Sequence, residues 1–162
     1  MVRYAIIGYG KIAHVHAKAI KEAKDSELVA VWGRNKEKAE IFAKKWEILP
    51  FTDMQKMIAE AKVDAVVITT PHPAHKENTL EALKGGAHVL VEKPMAVTVA
   101  DCQEMIDCAK QEKKKLAVIS QRRWFPSSQR IHEAIEDGKL GKPMIGQITM
   151  LGWRDEKYYN SD

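Results

Sequence analysis

Several features are scarce in these 162 residues, and each scarcity excludes something. There are only two cysteines, Cys102 and Cys108. They lie six apart on a predicted helix, where ~100° per residue turns them to different faces, so neither a redox pair nor a metal pair is expected. Both are expected to be reduced thiols in a cytoplasmic protein. Apolar stretches such as Ala65 to Ile68 fall far short of the ~20 residues that cross a bilayer, so no membrane partner is expected. The first strand-like run begins at Arg3, so no export signal is expected. Excess charge is scarce too: 26 Lys and Arg against 22 Asp and Glu give +4, evenly spread. That argues against a nucleic-acid partner. The densest basic run, Lys113-Lys114-Lys115, reads as a solvated helix end, where cations offset the negative end of the dipole. What remains, 45% apolar and 30% charged residues, is the composition of an ordinary globular chain.

Strand and helix patterns alternate along most of it. The run Arg3 to Gly8 is apolar and ends in glycine, and Lys11 to Ala23 then sets Ile12, Val15, Ala19, Ile20 and Ala23 at helical spacing. Glu27 to Trp32 reads as a second strand, and Asn35 as the cap of a helix over Lys36 to Lys45. A short strand is expected near Phe51. Thr52 with Gln55 reads as a capping box opening a helix that presents Met54, Met57, Ile58 and Ala61 along one side. Ala65 to Thr69 is β-branched without alternation, as expected of a central strand covered on both faces. A helix from about Ala74 to Lys84 stops at Gly85-Gly86, His88 to Glu92 is a strand, Thr98 with Asp101 opens a helix to about Glu112, and Leu116 to Ser120 is the next strand. The order βαβαβαβαβαβ predicts an α/β fold, a doubly wound parallel sheet with ligands at the carboxyl ends of its strands.

The texture changes after Ser120. Gln121 to Pro126 is polar, aromatic and Pro-terminated, and Ser128 to Asp137 reads as a helix stopped by Gly138. Pro143 to Trp153 alternates as a long strand would. One helix and one strand cannot bury a core. Two regions are therefore expected: a doubly wound domain over 1–120, and the start of a truncated second α/β domain over 121–162.

Gly8-Tyr9-Gly10-Lys11-Ile12-Ala13 fits G-x-G-x-x-A where the first strand turns into the first helix. Gly8 can make the tight turn, Gly10 lets backbone approach a pyrophosphate, and Ala13 lets helix pack closely on strand. The helix N-terminus offers its unpaired N–H groups to the phosphates. This predicts a dinucleotide, NAD(P). The second strand ends in Val31-Trp32-Gly33-Arg34-Asn35, with no acid to bind a ribose 2′-hydroxyl. Arg34 could pair with a 2′-phosphate or stack on adenine, which leans the reading towards NADP; a solvated loop charge is the other reading.

Thr69-Thr70-Pro71-His72-Pro73-Ala74-His75 follows the fourth strand and Val91-Glu92-Lys93-Pro94 ends the fifth. With the glycine turn, these resemble the glucose-fructose oxidoreductase, inositol dehydrogenase and rhizopine-catabolism family (Gfo/Idh/MocA), whose markers are G-x-G-x-x-[AG], T-P-x-x-x-H and E-K-P in that order. The resemblance continues through Arg122-Arg123-Trp124-Phe125-Pro126, Asp137-Gly138-Lys139-Leu140-Gly141, Trp153-Arg154 and Tyr158-Tyr159, and so covers nearly the whole chain. It implies a Rossmann-type sheet and hydride transfer between a nicotinamide cofactor and a sugar or polyol hydroxyl.

By that similarity, Gly8, Tyr9, Gly10, Lys11, Ile12 and Arg34 belong to the cofactor site, and Thr70 and Pro71 line its crevice. His72 and Glu92 would lie near the nicotinamide ribose, with His75 a helix-start or crevice histidine. Lys93 would be the catalytic lysine, donating to the substrate oxygen, and Pro94 would follow a cis peptide. Arg122, Trp153 and Arg154 would complete the cofactor contacts. Trp124, Trp153, Tyr158 and Tyr159 read equally as an aromatic wall against a sugar or as filling for an interface. His72 and His75 lack further ligands nearby in sequence, so no metal site is expected. For His14, His16, His88 and His132, packing or solvent is the expectation, none having an evident carboxylate partner. The resemblance also implies homo-oligomers, and a D-x-x-x-H proton acceptor with no counterpart in these residues, so the chain alone is expected to be weakly active at most. The competing expectation is a non-catalytic dinucleotide-binding or sensing module that pairs with a partner through its last strand.

Overall fold

The computed structural model describes residues 1–156. Six parallel strands, β1 (Val2–Ile7), β2 (Ser26–Trp32), β3 (Leu49–Phe51), β4 (Ala65–Ile68), β5 (His88–Val91) and β6 (Leu116–Val118), form one sheet in the order β3-β2-β1-β4-β5-β6. The order reverses between β1 and β4, the switch point at which such sheets open a crevice at their carboxyl edge. Between them run α1 (Lys11–Glu22), α2 (Lys36–Trp46), α3 (Met54–Glu60), α4 (His75–Lys84) and α5 (Val99–Gln111). The doubly wound sheet follows from the alternation in the sequence.

Because side chains alternate along a strand, the sheet has two apolar faces. Ala5, Ile7, Val66 and Ile68 pack with Met54, Met57, Ile58, Leu83 and Met105 from α3, α4 and α5. Ile6, Val31 and Val67 pack with Ala13, Ala17, Ile20 and Phe42 from α1 and α2. Each fully buried aliphatic side chain contributes about 1.5–3 kcal/mol. The β1–β2 register slips by one residue: Tyr4 faces Leu28 but Ala5 faces Ala30, leaving Val29 as a bulge.

Local signals hold with two adjustments. Asn35 accepts from the Lys38 N–H (2.9 Å), and Thr98 from the Asp101 N–H (3.1 Å). The cap of α3, however, is Asp53, which accepts from the Lys56 N–H (2.9 Å), one residue later than the expected Thr52. A carboxylate interacts more strongly than a hydroxyl with the positive end of a helix. In place of a helix start at Ala74, a 3₁₀ turn, His72–Ala74, leads into α4.

The chain divides into two units, Met1–Ile119 and a second beginning at Ser120. The second holds a 3₁₀ turn, Gln121–Trp124, and α6 (Pro126–Glu136), which begins two residues earlier than expected because Pro126 starts the helix. The long strand expected from Pro143 to Trp153 is not formed: no strand follows β6 among the described residues. Alternation marks a segment able to line a sheet, but a strand exists only when a neighbour accepts its ladder of hydrogen bonds. None of the described residues does so, and Ile145, Ile148 and Leu151 are 92, 87 and 96% exposed. No helix is long and apolar enough to cross a membrane among the described residues.

Candidate functional site

The parallel register places the residue after each strand in one row along the carboxyl edge. Ile7 pairs with Trp32 on one side and Ile68 on the other, and Ile68 pairs with Val91. Gly33, Gly8, Thr69 and Glu92 therefore stand side by side, tied by the Gly8 N–H to the Trp32 carbonyl (2.8 Å), the Thr69 N–H to Ile7 (2.9 Å) and the Glu92 N–H to Ile68 (3.0 Å). Residues from four strands meet where the sheet opens.

Gly8 has φ +102°, a conformation that only glycine adopts cheaply. A Cβ there would sit 3.0 Å from the Thr69 hydroxyl and 3.2 Å from its backbone carbon. Thr69 is buried, and its hydroxyl donates to the Ile7 carbonyl at 2.9 Å. It closes the turn from below, a role only visible once β4 is beside β1. Gly10 differs: it caps α1 in extended conformation with no side-chain hydrogen bond, and a Cβ there would meet nothing within 4 Å. The first turn of α1 thus presents N–H groups without a capping side chain behind open space, with Lys11 and Ile12 exposed beside it. These residues fit a dinucleotide pyrophosphate, which needs donors, positive dipole and no intruding side chain.

At the β2 end the edge of the Tyr9 ring packs against Gly33, where a Cβ would fall 2.1 Å from a ring carbon. Gly33 was not singled out by the sequence; what it provides is room for Tyr9. Arg34 follows, exposed, just before the Asn35 cap of α2.

Two turns form the other side of the crevice. The Thr70-Pro71 turn leads into His72, which is exposed, and His75, which is wholly buried. The rings of His72 and His75 meet edge-on at 5.5 Å. His75 Nδ1 lies 2.8 Å from the Pro94 carbonyl oxygen and Nε2 2.9 Å from the Thr70 carbonyl oxygen, so both nitrogens are committed to the protein's own backbone. Since carbonyls only accept, both contacts are hydrogen bonds when each nitrogen carries a proton. Asn78 adds an N–H to the Thr70 hydroxyl at 2.9 Å. In the β5 turn, the Lys93–Pro94 peptide is cis and both residues are exposed.

Glu92 is buried, and it overturns the expectation that no histidine has a carboxylate partner. Its Oε1 lies 2.8 Å from His16 Nε2, and its Oε2 accepts from the Lys93 N–H at 3.1 Å. The pair joins α1 to β5 across 76 residues, a distance at which no local pattern signals a contact. His14 also has a specific partner, since its Nδ1 accepts from the Trp46 indole N–H at 2.8 Å. Burial first, and the charge of Lys45 second, hold its pKa below the usual histidine value.

The remaining expected residues lie in the second unit. Arg122 contacts the Met150 sulfur, and the Arg154 guanidinium donates to the Trp153 carbonyl. Trp124 and Trp153 are exposed. Tyr158 and Tyr159 fall outside the described residues. Both cysteines are free, and burial pushes the Cys108 thiol up. No cluster of three or more potential metal ligands occurs among the described residues.

Residues 2–120 match the model of an oxidoreductase family with an NAD-binding Rossmann fold, Gfo/Idh/MocA. The chain belongs to this family. Among relatives it is 37% identical over 152 residues to D-glucoside 3-dehydrogenase of Escherichia coli (strain K12), covering 93% of this chain and 43% of that one. It is 39% identical over 111 residues to scyllo-inositol 2-dehydrogenase (NADP(+)) of Bacillus subtilis (strain 168), covering 68% and 34%. Among solved structures, the WlbA dehydrogenase from Bordetella pertussis in complex with NADH and UDP-GlcNAcA superposes with a TM-score of 0.82 at 31% identity, covering 87% of this chain and 44% of that one. This Gfo/Idh/MocA chain therefore spans less than half the length of each of these relatives.

Proposed function

We propose that this chain is the cofactor-binding portion of an NAD(P)-dependent oxidoreductase acting on a sugar or polyol hydroxyl. The observation that carries the reading is the α1 N-terminus, uncapped by any side chain and opening through Gly10 onto the same sheet edge as Glu92 and Lys93. The sugar and inositol dehydrogenases among the relatives support the substrate class. Residues 1–120 are the dinucleotide domain, and 121–162 begin a substrate and oligomerisation domain through which copies associate. Free thiols suit a cytoplasmic protein.

When bound, the nicotinamide supplies the hydride acceptor or donor. The N–H groups at the start of α1 hold the pyrophosphate, with Gly8 and Gly10 giving backbone access and Tyr9, Lys11 and Ile12 beside it. Thr70, Pro71, His72 and Glu92 line the crevice towards the nicotinamide ribose. The Lys93 ammonium donates to the substrate oxygen and stabilises negative charge there during transfer. The cofactor is NADP by preference, because no carboxylate follows Trp32 and Arg34 is free of secondary structure to reach a 2′-phosphate.

Titration of tryptophan fluorescence with NADPH and NADH tests this directly. Tighter binding of NADPH is expected, and Arg34→Ala should weaken NADPH about tenfold while leaving NADH unchanged. Equal losses for both nucleotides reject the phosphate role of Arg34. Failure of both nucleotides to bind at millimolar concentration rejects the whole reading.

A further inference from the structure

Lys93 stands on an exposed turn, yet both of its neighbours are anchored by buried polar contacts. We propose that His16 and His75 are positioning residues that bracket Lys93 from two helices and fix its backbone at the crevice. The inference rests on the proposed role of Lys93.

On one flank, His16 of α1 holds Glu92 Oε1 at 2.8 Å, and the second oxygen of that carboxylate takes the Lys93 N–H at 3.1 Å. Only 15% of the His16 side chain and 10% of that of Glu92 are exposed, so water competes weakly for the pair. On the other flank, the ring of His75 of α4 sits between two backbone carbonyls, Nδ1 2.8 Å from that of Pro94 and Nε2 2.9 Å from that of Thr70, and donates to the one that faces its N–H. The Thr70 turn and the Lys93 turn are thereby fixed to one ring. Each histidine belongs to a helix that starts at the crevice: α1 at the glycine turn, α4 at the turn after β4. The helix whose N-terminus would hold the phosphates therefore also sets the backbone of Lys93 through one side chain. A buried carboxylate left without its donor is costly, so loss of His16 should release Glu92 and with it the turn.

Reductive methylation of the folded chain with ¹³C-formaldehyde gives each lysine a dimethyl resonance that keeps its charge. The Lys93 signal is assigned by its loss in Lys93→Arg, and the other lysines serve as internal controls. In His16→Ala the Lys93 resonance should move or broaden while the other lysines stay. In His16→Gln, which keeps an N–H donor for Glu92, it should return most of the way. His75→Gln, chosen over alanine because the site is wholly buried and the amide keeps one donor, should also displace it. A Lys93 resonance that shifts no further than other lysines in both His16→Ala and His75→Gln overturns the proposal. NADPH affinity is the second readout, expected to fall about tenfold in His16→Ala and to be largely restored in His16→Gln. If the unsubstituted chain binds no nucleotide, the cofactor reading fails by itself, and the lysine resonance still decides the bracket.

Discussion

Residues 1–119 and residues 120–156 are both rich in apolar side chains, but only the first set buries any. All of the buried residues lie at or before Ala109, and none of the described residues from Ser120 onward is buried. Met144, Ile145, Ile148, Met150, Leu151 and Trp153 are 62–96% exposed. Apolar composition therefore does not make a core; partners do. In the first region each strand finds a neighbour and each helix a sheet face, whereas the alternating segment from Pro143 to Trp153 has neither among the described residues. The same substitution in the two regions should break the comparison most sharply. Ile68→Ala in β4, at 0% exposure, should cost about 2–5 kcal/mol of unfolding free energy, and Ile148→Ala less than about 0.5 kcal/mol. Urea denaturation of the two variants checks this. A loss above ~1 kcal/mol for Ile148→Ala would show that the second region is packed.

A finer contrast lies inside the first region, between two glycines of one turn. Gly8 is needed by the fold: its positive φ and the Thr69 side chain and backbone leave no room for a methyl group. Gly10 is not, since its backbone is extended and nothing stands within 4 Å of where a Cβ would lie. Gly8→Ala should therefore cost about 1–3 kcal/mol of stability and nucleotide binding together. Gly10→Ala should cost under about 1 kcal/mol while weakening NAD(P)H about tenfold, because the methyl group enters only the space assigned to the pyrophosphate. Thermal unfolding and fluorescence titration separate the two. If Gly10→Ala binds nucleotide as tightly as the unsubstituted chain, the pyrophosphate does not approach at this residue.

What the sequence revealed was what short range controls. The glycine turn, the Asn35 and Thr98 caps and the β-branched run of β4 are each set by residues within a few positions, and all appear where expected. Where two cap-forming residues adjoin, as at Thr52 and Asp53, the pattern does not choose, and the stronger acceptor wins. The Val29 bulge, Thr69 beneath Gly8, Gly33 at the edge of the Tyr9 ring and the His16–Glu92 pair depend on which strands become neighbours. The same holds for Pro143 to Trp153, where the alternation was legible and the missing partner was not. In the candidate site, residue identities at the strand ends could be read, while their mutual support could not.

The smallest effect concerns a contact of that long-range kind, between α1 and α2. His14 accepts the Trp46 indole N–H and stacks on Phe42 at 4.7 Å between ring centroids, an arrangement open only to the unprotonated Nδ1. Burial and the nearby Lys45 lower its pKa from 6.5, so the folded chain takes up this proton less readily than the unfolded one. The sign follows from linkage: the contribution of His14 is complete above pH 6.5 and is lost as pH falls from there through the lower, folded value. Urea midpoints measured from about pH 8 down to about pH 5 should therefore fall more for the unsubstituted chain than for His14→Gln, which cannot titrate. The first region alone carries this dependence, so fluorescence of Trp46 should report it. Midpoints that decline in parallel for the two proteins would mean that His14 is not the group responsible.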